Sequence, residues 1–504
     1  MRPPHLILYV IVRWIARTAL DWYYRDIEVV GAERIPLGLP LLLAVNHPNN
    51  VVDALVVLRI VPRRVRITAK ATLWANPILR VAFRWYGVIP LRRIKDEAVP
   101  ASAKLNPARN LDAFRAVLDT LEAKHAVLIF PEGISHSQSQ LAPLRSGLAR
   151  LALQARDERN VRGLTILPIG LVFERKWEPR SRILAHVGEP IELDEWRTSR
   201  KRKSPDASRE NGTLDAESED VSEDGHADAV VALTAEVDER LRATTVNFPT
   251  PEDAERVLGV ARILAGVFDE PRPLAAPDRP LIDELDAIRR VTATRASLPK
   301  VASPRAEAFL ARLEALRTEL ARRGIPVNDT NIDIGTRPAA RFALREMAIV
   351  AAAGPFAWWG RVNHWLPLKG ARLIAKRTSR TPEDPAMHTL VVGLVLVLLA
   401  YTAQTALVWV WAGALWAILY LISLPAASTW DHRFRDRMTR ALQRTRTYFQ
   451  FRSDRSLQPR LQKELGWLRE EALALEALAE ASLTGESGGH GADSELRYSP
   501  RSKI

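Results

Sequence analysis

The chain has 504 residues, of which 47% are hydrophobic, and it carries a formal net charge of +13 at pH 7 and no cysteine. This length predicts roughly two to four structural units. The absence of cysteine excludes disulfide bonds, thiol catalysis and thiolate metal sites. The positive charge favours anionic partners, such as a membrane surface or a phosphorylated substrate. No nucleic-acid partner is predicted, because the sequence has no Cys–His zinc spacing, aromatic ribonucleoprotein motif or basic helix followed by heptads.

The first 25 residues combine apolar side chains with aromatic types that favour a membrane interface. Residues 6–12 are apolar, but Arg13 and Arg17 interrupt the pattern. The apolar run is short for a signal peptide, and no small-residue cleavage site follows it. The pattern predicts an amphipathic, membrane-associated helix over residues 1–25. A structural helix that covers the following domain is the alternative.

Short apolar runs alternate with helical stretches between residues 26 and 197. Their β-branched and apolar content is typical of buried strands. The alternation predicts an α/β domain in which a largely parallel or mixed sheet is flanked by helices. The predicted strands are residues 27–31, 40–45, 65–69, 87–91, 126–130 and 165–169, and the predicted helices are residues 77–86, 110–124 and 145–156.

The rest of the chain divides by composition. Residues 198–228 are polar, with a basic block before an acidic one, and this predicts a disordered insertion. Apolar side chains at helical spacing predict a helical region over residues 229–345 and C-terminal helices over residues 429–483. Residues 484–504 are predicted to be a disordered tail.

Residues 346–428 are predicted to form a membrane region, because residues 385–430 contain no Asp, Glu, Lys or Arg. A membrane-spanning helix needs about 20 apolar residues, so the run predicts a hairpin of two transmembrane helices, at about 387–404 and 406–425. The flanks are basic on both sides, which predicts a multi-pass protein whose α/β domain faces the cytoplasm. A buried hairpin in a large soluble core is the alternative.

The sequence VNHPNNVVDAL at residues 45–55 places a histidine and an acid after an apolar run. A neutral imidazole is the natural general base near neutral pH, and a carboxylate on its other nitrogen fixes the tautomer. Residues six apart do not share a helix face, so His47 is expected in a turn and Asp53 in the first turns of the next helix. No serine nucleophile elbow accompanies the pair, so the base would activate a hydroxyl of the substrate. A helix-capping histidine beside a solvent-facing acid is the alternative.

Three later segments also end apolar runs. Arg92 and Arg93 follow one of them, and a guanidinium suits phosphate, although ordinary surface arginines are the alternative. In the sequence FPEGISH at residues 130–136, Glu132 is expected to face a cleft at the end of a strand, with Ser135 and His136 able to donate hydrogen bonds. Residues 166–170, ILPIG, end the last strand in a similar turn.

Together these segments resemble the four ordered sequence blocks of the glycerol-3-phosphate and lysophosphatidate acyltransferase family, over about residues 20–196. The resemblance implies the glycerolipid acyltransferase fold and a His–Asp catalytic pair. It also implies an acyl thioester donor, acyl-CoA or acyl-carrier protein, as co-substrate without another cofactor, and a phosphorylated glycerol acceptor. The blocks are Asn46–His47 with Asp53, then residues 87–93, 130–133 and 167–170.

By this match His47 is the base and Asp53 its partner, while acceptor binding falls to Arg93, Arg92, Glu132 and Gly133. Pro168 belongs to the block associated with the acyl donor. Asn46, Ser135 and His136 are expected to support these residues. The family usually has four residues between His and Asp, whereas this chain has five. The longer spacing, and membrane segments after the catalytic domain, resemble the fungal-type glycerol-3-phosphate/dihydroxyacetone-phosphate acyltransferases and their bacterial relatives.

The resemblance therefore predicts a membrane-bound O-acyltransferase of phospholipid biosynthesis that acts on glycerol-3-phosphate or lysophosphatidate. Two alternatives remain at this point. One is a catalytically degenerate, membrane-anchored lipid-binding protein. The other is a metal hydrolase in which Glu132 and His136 join His47.

Overall fold

The computed structural model describes residues 6–75, 77–91, 111–136, 138, 140–176, 178–203, 223–248, 250–267, 280–298, 302–379 and 384–486. Two compact units divide the chain. The first, here called the α/β unit, comprises Met1–Pro251 and Ile349–Met438. The second, here called the helical unit, comprises Glu252–Ala348 and Thr439–Ile504.

One sheet forms the centre of the α/β unit. Its strand order is β1-β7-β6-β2-β5-β3-β4, with β8 beside β6. Strands β6 and β7 pair antiparallel, as do β6 and β8, and the other pairs are parallel. The mixed α/β sheet predicted from the sequence is thereby confirmed. The strands are β1 (Asp26–Val30), β2 (Leu41–Val45), β3 (Val65–Lys70), β4 (Ile89–Leu91), β5 (Ala126–Ile129), β6 (Thr165–Phe173), β7 (Arg182–Val187) and β8 (Ile191–Glu192).

Helices cover both faces of this sheet. Strand β2 is therefore buried on both sides, which explains why all its residues are apolar. Successive side chains of a strand point to opposite faces. Leu41, Leu43 and Val45 belong to one core, whereas Leu42 and Ala44 belong to the other. The helices in the first part of the unit, before residue 251, are α1 (Leu6–Tyr23), α2 (Val51–Ile60), α3 (Pro77–Tyr86), α4 (Leu111–Glu122), α5 (Gly147–Asp157), α6 (Leu193–Lys203) and α7 (Glu223–Thr244).

Helix α1 packs against α2 on one face of the sheet. Tyr9, Ala16 and Leu20 are buried in that contact, whereas Val10 and Trp14 are exposed. The helix therefore covers the α/β domain with one side, as the structural alternative expected, and keeps an apolar side available on the other. Its association with a membrane remains a prediction.

The boundaries predicted for residues 198–228 differ from the structure. Helix α6 continues to Lys203 and α7 begins at Glu223, so both ends of the predicted disordered insertion are helical. Residues 204–222 lie outside the described residues, as do residues 487–504 of the predicted tail. The α7 segment has a structural reason to fold, since Val230, Leu233 and Val237 pack into the sheet core.

The apolar region contains three long helices, α11 (Thr336–Thr378), α12 (Asp384–Ala412) and α13 (Ala414–Ser453). The break predicted near residue 405, between helices at about 387–404 and 406–425, is wrong, because α12 continues through residues 401–405 and the chain turns at Gly413. Tyr, Thr, Ala and Gln are all compatible with a helix, whereas Gly413 takes a φ of +86°, which ends one. Among the described helices, the 27-residue stretch Ala386–Ala412 is long and apolar enough to cross a membrane, by length and composition alone. The two-helix membrane hairpin stays a prediction.

The helical unit has its own apolar core. It contains α8 (Pro251–Val267), α9 (Leu281–Ser297), α10 (Ser303–Arg323) and α14 (Leu457–Glu486), together with parts of α11 and α13. Leu313, Leu316 and Leu320 on α10 share this core with apolar residues of α14. These stripes therefore serve packing, as their helical spacing predicts.

Gly170, in the last of the four sequence blocks, is predicted to be required for packing. A Cβ atom at this position of β6 would overlap the main-chain oxygen of Thr244 at the end of α7. Gly170→Ala should therefore lower the free energy of unfolding by about 1–3 kcal/mol, as overpacking of a filled core does. The thermal unfolding midpoint of the purified protein measures this loss. Gly38→Ala is the control, since a Cβ atom there would meet nothing within 4 Å. Equal midpoints for the two variants would contradict the prediction.

Candidate active site

The loops that follow β2 and β5 emerge side by side at one edge of the sheet. The two strands are parallel neighbours, and Ala44 of β2 is level with Ile129 of β5. The carboxyl ends of parallel strands are where open α/β sheets bind ligands. His47 follows β2 and Glu132 follows β5, so the sheet brings the first and third sequence blocks together.

His47 and Asp53 form a hydrogen-bonded pair. The Nδ1 atom of His47 lies 2.9 Å from Oδ2 of Asp53, which also accepts a hydrogen bond of 2.7 Å from the Asn49 N–H. The turn between them ends at Asn50, and α2 begins at Val51. A carboxylate only accepts hydrogen bonds, so Nδ1 carries the proton and Nε2 of a neutral ring carries the lone pair. The pair thus has the geometry that a general base requires.

Asp53 is completely buried. Burial raises the pKa of its carboxyl, because loss of water penalises the charged form, and the hydrogen bonds from His47 and Asn49 oppose that shift. Its Oδ1 atom has no hydrogen-bond partner within the part of the chain that the structure describes. A solvent-facing acid, which the alternative interpretation expected, is therefore wrong for Asp53.

Different residues contact the ring and the main chain of His47. The imidazole stacks on Phe130, with 3.9 Å between ring centroids and 12° between planes. The His47 N–H donates to Oε1 of Glu132 at 2.7 Å, and the His136 N–H donates to the His47 carbonyl at 3.3 Å. The FPEG segment therefore fixes the position of His47.

The orientation of Glu132 differs from the prediction that it faces a cleft. Glu132 is only 2% exposed. Its carboxylate accepts hydrogen bonds from the N–H groups of His47 and Ala142 and from Nε2 of His136. Nδ1 of His136 accepts from the Gln138 N–H, which matches a neutral ring protonated at Nε2. Glu132 is thus a positioning residue that ties two loops together.

Gly133 supplies the turn that follows. Its φ of +72° lies in the left-handed region, and its N–H donates to the Phe130 carbonyl at 3.0 Å. A Cβ atom there would lie 3.4 Å from Cγ of Arg145, so an exposed arginine packs against this turn. Sequence reasoning did not identify Arg145 as a neighbour of the site.

The remaining predicted residues have structural contacts. The Asn46 side chain exchanges two hydrogen bonds, of 3.1 and 2.7 Å, with the main chain of Leu171 and so joins the end of β2 to β6. Oγ of Ser135 accepts a 3.1 Å hydrogen bond from the Asn50 N–H. Pro168 is buried in β6, and its carbonyl accepts from the Gly188 N–H. Arg92 and Arg93 lie outside the described residues.

Asn49 and Tyr24 support the site although the sequence did not point to that role. The Asn49 side chain is buried and donates to the Tyr24 hydroxyl at 3.0 Å and to the Lys176 carbonyl at 3.2 Å. Burial raises the pKa of Tyr24 well above its ordinary value, so its hydroxyl stays protonated. The position of Asn49 between His47 and Asp53 was the one signal that the sequence offered.

Comparison with known proteins identifies the domain that carries this site. A family model described as Acyltransferase matches residues 26–172, which include β2, β5 and the His47–Asp53 pair. Glycerol-3-phosphate O-acyltransferase 2 of Saccharomyces cerevisiae is 38% identical over 17% of the chain and 11% of its own length. Residues 26–172 thus form an acyltransferase domain by similarity, and the chain resembles acyltransferases of the glycerolipid type.

Other relatives match the chain at lower identity. Glycerol-3-phosphate O-acyltransferase 1 of Saccharomyces cerevisiae is 27% identical over 34% of the chain and 20% of its own length. An uncharacterized acyltransferase of Schizosaccharomyces pombe is 22% identical over 38% of the chain and 40% of its own length. The chain therefore spans less than half of the length of these relatives.

The chain is also similar to a solved structure, that of the 1-acyl-sn-glycerophosphate (LPA) acyltransferase PlsC from Thermotoga maritima. The TM-score is 0.31 at 16% sequence identity, and the match covers 47% of this chain and 80% of that chain. A similarity at this level adds nothing about the activity of the chain.

The geometry bears directly on the metal-hydrolase alternative. Within the ranges that the structure describes, no group of three or more His, Asp or Glu side chains is placed to hold a metal ion. Glu132 meets the main chain of His47 rather than its ring, and His136 is bonded to Glu132. These three residues therefore do not converge as one ligand set.

The inward position of Glu132 generates a prediction. Glu132→Gln replaces an oxygen that accepts main-chain hydrogen bonds by an NH₂ group, so one buried donor loses its partner. We expect the variant to lose about 1–3 kcal/mol of stability, together with activity. Thermal unfolding and acyl transfer kinetics of the purified protein measure the two effects, with the exposed Glu192→Gln as the control. An unchanged melting temperature with a higher KM for the acceptor would instead make Glu132 an acceptor-binding residue.

Proposed function

We propose that the chain is a membrane-bound enzyme of phospholipid biosynthesis. It moves a fatty acyl group from an acyl thioester to a hydroxyl of glycerol-3-phosphate or lysophosphatidate. The observation that carries this proposal is the His47–Asp53 pair, which has general-base geometry inside an acyltransferase domain. The two Saccharomyces cerevisiae relatives are both glycerol-3-phosphate O-acyltransferases, and this supports glycerol-3-phosphate as an acceptor.

His47 acts as the general base in the proposed reaction. Nε2 takes the proton of the acceptor hydroxyl as its oxygen attacks the thioester carbonyl carbon. The tetrahedral intermediate collapses with cleavage of the C–S bond, and the imidazolium returns the proton to the leaving thiolate. The products are the ester and the free thiol of the donor. Asp53 stabilises the imidazolium that forms between the two proton transfers.

Acceptor recognition is assigned to the segment that follows β4 and to the turn after β5. A planar guanidinium binds a phosphate with two parallel hydrogen bonds, so Arg93 is the proposed phosphate ligand, with Arg92 beside it in sequence. The turn at Gly133 brings the main chain and the exposed Arg145 to the same edge of the sheet as His47. This supports a site in which the acceptor hydroxyl and phosphate are bound at the ends of neighbouring strands.

A membrane location matches the chemistry of the product. Phosphatidate-type products are amphiphiles that partition into a bilayer. The apolar stretch Ala386–Ala412 and the exposed apolar residues at the start of α13 support a membrane hairpin. Basic residues flank it at Lys376 and Arg377 and again at Arg433, which supports a cytoplasmic α/β unit on a surface of anionic lipid.

Removal of the base tests the mechanism. General-base catalysis contributes about 10² to 10⁴-fold, so His47→Ala should lower kcat by that factor. The assay offers glycerol-3-phosphate, lysophosphatidate and dihydroxyacetone phosphate separately with labelled acyl-CoA to the purified full chain. His125→Ala, which removes a histidine between α4 and β5, is the control and should keep its turnover. Near-normal turnover in His47→Ala would overturn the mechanism. An inactive parent protein with all three acceptors would favour the lipid-binding alternative.

Because the Asp53 carboxylate is buried, we expect Asp53→Asn to lose activity without losing stability. Because the pKa of Asp53 is raised in the fold, the folded state binds its proton more tightly than the unfolded state. The parent protein therefore loses stability relative to Asp53→Asn as pH rises from the ordinary carboxyl pKa of about 3.9 through the raised value. At neutral pH the variant should be inactive but at least as stable as the parent.

Thermal unfolding of both proteins from pH 4 to pH 8 measures this difference. The advantage of Asp53→Asn should shrink as pH falls towards the ordinary carboxyl pKa of about 3.9. A parent protein that gains stability relative to the variant as pH rises would show that the fold lowers the pKa of Asp53 instead.

A further inference from the structure

A second ligand-sized space lies in the α/β unit, away from the residues of the His47 site. It is a cavity of about 170 Å³ between α1, α11, α12 and α13. A single water needs roughly 10–15 Å³, so the cavity has room for an organic group. Its wall is mainly apolar and includes Ile15, Ala19, Leu368, Leu390, Leu394 and Val397.

Two buried hydrogen-bonding groups in this wall have no partner. They are Nε1 of Trp22 and Nε2 of His432, which lack hydrogen bonds within the part of the chain that the structure describes. His432 is 5% exposed, and its ring centroid lies 6.4 Å from that of Trp22. An unsatisfied buried polar group is costly, so a pair of them beside one cavity indicates a polar ligand atom between or near them.

The tautomer of His432 makes both groups donors. Arg435 donates to Nδ1 of His432 at 2.8 Å, and a guanidinium cannot accept a hydrogen bond, so Nδ1 carries the lone pair. Burial and the neighbouring Arg435 lower the pKa of His432 to about 2, which keeps the ring neutral. The proton therefore sits on Nε2. The indole N–H of Trp22 is a donor in any case, so the ligand must supply an acceptor.

His364 and Tyr401, in the same wall, have hydrogen-bond partners. Nδ1 of His364 donates to the Gly360 carbonyl at 2.7 Å, and the Tyr401 hydroxyl donates to Nε2 of His364 at 2.6 Å. Among the described residues of this wall, the buried polar atoms without a partner are Nε1 of Trp22 and Nε2 of His432. An apolar wall with two neighbouring donors matches a molecule with an apolar chain and a terminal oxygen.

We propose that this cavity binds one fatty acyl chain, whose carbonyl or carboxylate oxygen accepts hydrogen bonds from Trp22 and His432. The chain lies along α12, whose Ala386–Ala412 stretch has the composition of a membrane-spanning helix. Trp14 and Leu398 line the cavity and are also exposed, which gives the chain an entrance from the surrounding lipid. A free fatty acid and the acyl ester of a membrane glycerolipid share this chemistry. The assignment does not depend on the proposed acyl transfer.

Photo-crosslinking of the purified full chain in detergent tests the proposal. One arm uses palmitic acid with a diazirine on its chain, and the other uses phosphatidylcholine that carries the same chain. Labelled peptides identified by mass spectrometry should include the cavity-lining parts of α1 and α12. Labelling in one arm alone identifies the source of the chain, and labelling at these positions in either arm supports the site.

Two variants probe the site by independent means. Trp22→Phe keeps an aromatic ring but removes the N–H, and it should lower labelling about fivefold, the equivalent of one hydrogen bond. Leu394→Trp fills the cavity and should abolish specific labelling. Trp411→Phe changes a tryptophan that is 85% exposed and does not line the cavity, so it should label as the parent does.

Thermal unfolding of each variant shows that it is folded before labelling is compared. Labelling spread evenly over the lipid-facing surfaces, and unchanged in both Trp22→Phe and Leu394→Trp, would overturn the proposal. Absence of labelling at α1 and α12 in both arms would also overturn it.

Discussion

The hydrogen bond between His47 and Asp53 is the constraint on which the rest of the acyltransferase domain depends. It requires an ionised carboxylate in a place without water, which is an unfavourable arrangement in the absence of compensating donors. The main-chain N–H of Asn49 is one such donor, and the start of α2 is another favourable feature, because the first turn of a helix attracts negative charge. The opposing loop completes the arrangement, since Glu132 binds the N–H of His47 itself.

The five-residue gap between histidine and aspartate has a simple structural explanation. Asn50 takes a φ of +49°, so the chain makes its turn there and α2 starts one residue later, at Val51. Asp53 is consequently the third residue of the helix, and its side chain can reach back to the N–H of Asn49. The turn therefore accommodates the fifth residue of the gap, and His47 and Asp53 still lie within hydrogen-bond distance.

The elements that the sequence predicted are those determined by local pattern. Apolar runs indicated the central strands, and the motif indicated that His47 lies in a turn with Asp53 on the helix. What the sequence did not reveal depends on contacts between distant residues. Glu132 faces inward because His47, His136 and Ala142 offer it donors, and no periodicity encodes those contacts. The turn at Gly413 was missed because residues 401–405 are less apolar yet helix-compatible, whereas a left-handed φ is a property of one glycine.

The C-terminal end of α1 and the residue that follows it contact both the cavity and the turn that carries His47. Trp22 lines the cavity and the Tyr24 hydroxyl accepts a hydrogen bond from Asn49, in the turn between His47 and Asp53, so one short segment contacts both places. Arg180 holds this segment by donating to the carbonyls of Asp21 and Tyr24, and it also pairs with Asp436 on α13. The segment is therefore fixed on one side by the acyltransferase domain and on the other by a helix of the apolar region. An amphipathic helix that only rested on a membrane would not need these contacts. We infer that α1 connects the turn between His47 and Asp53 to the helices around the cavity, in addition to any surface contact it makes with lipid.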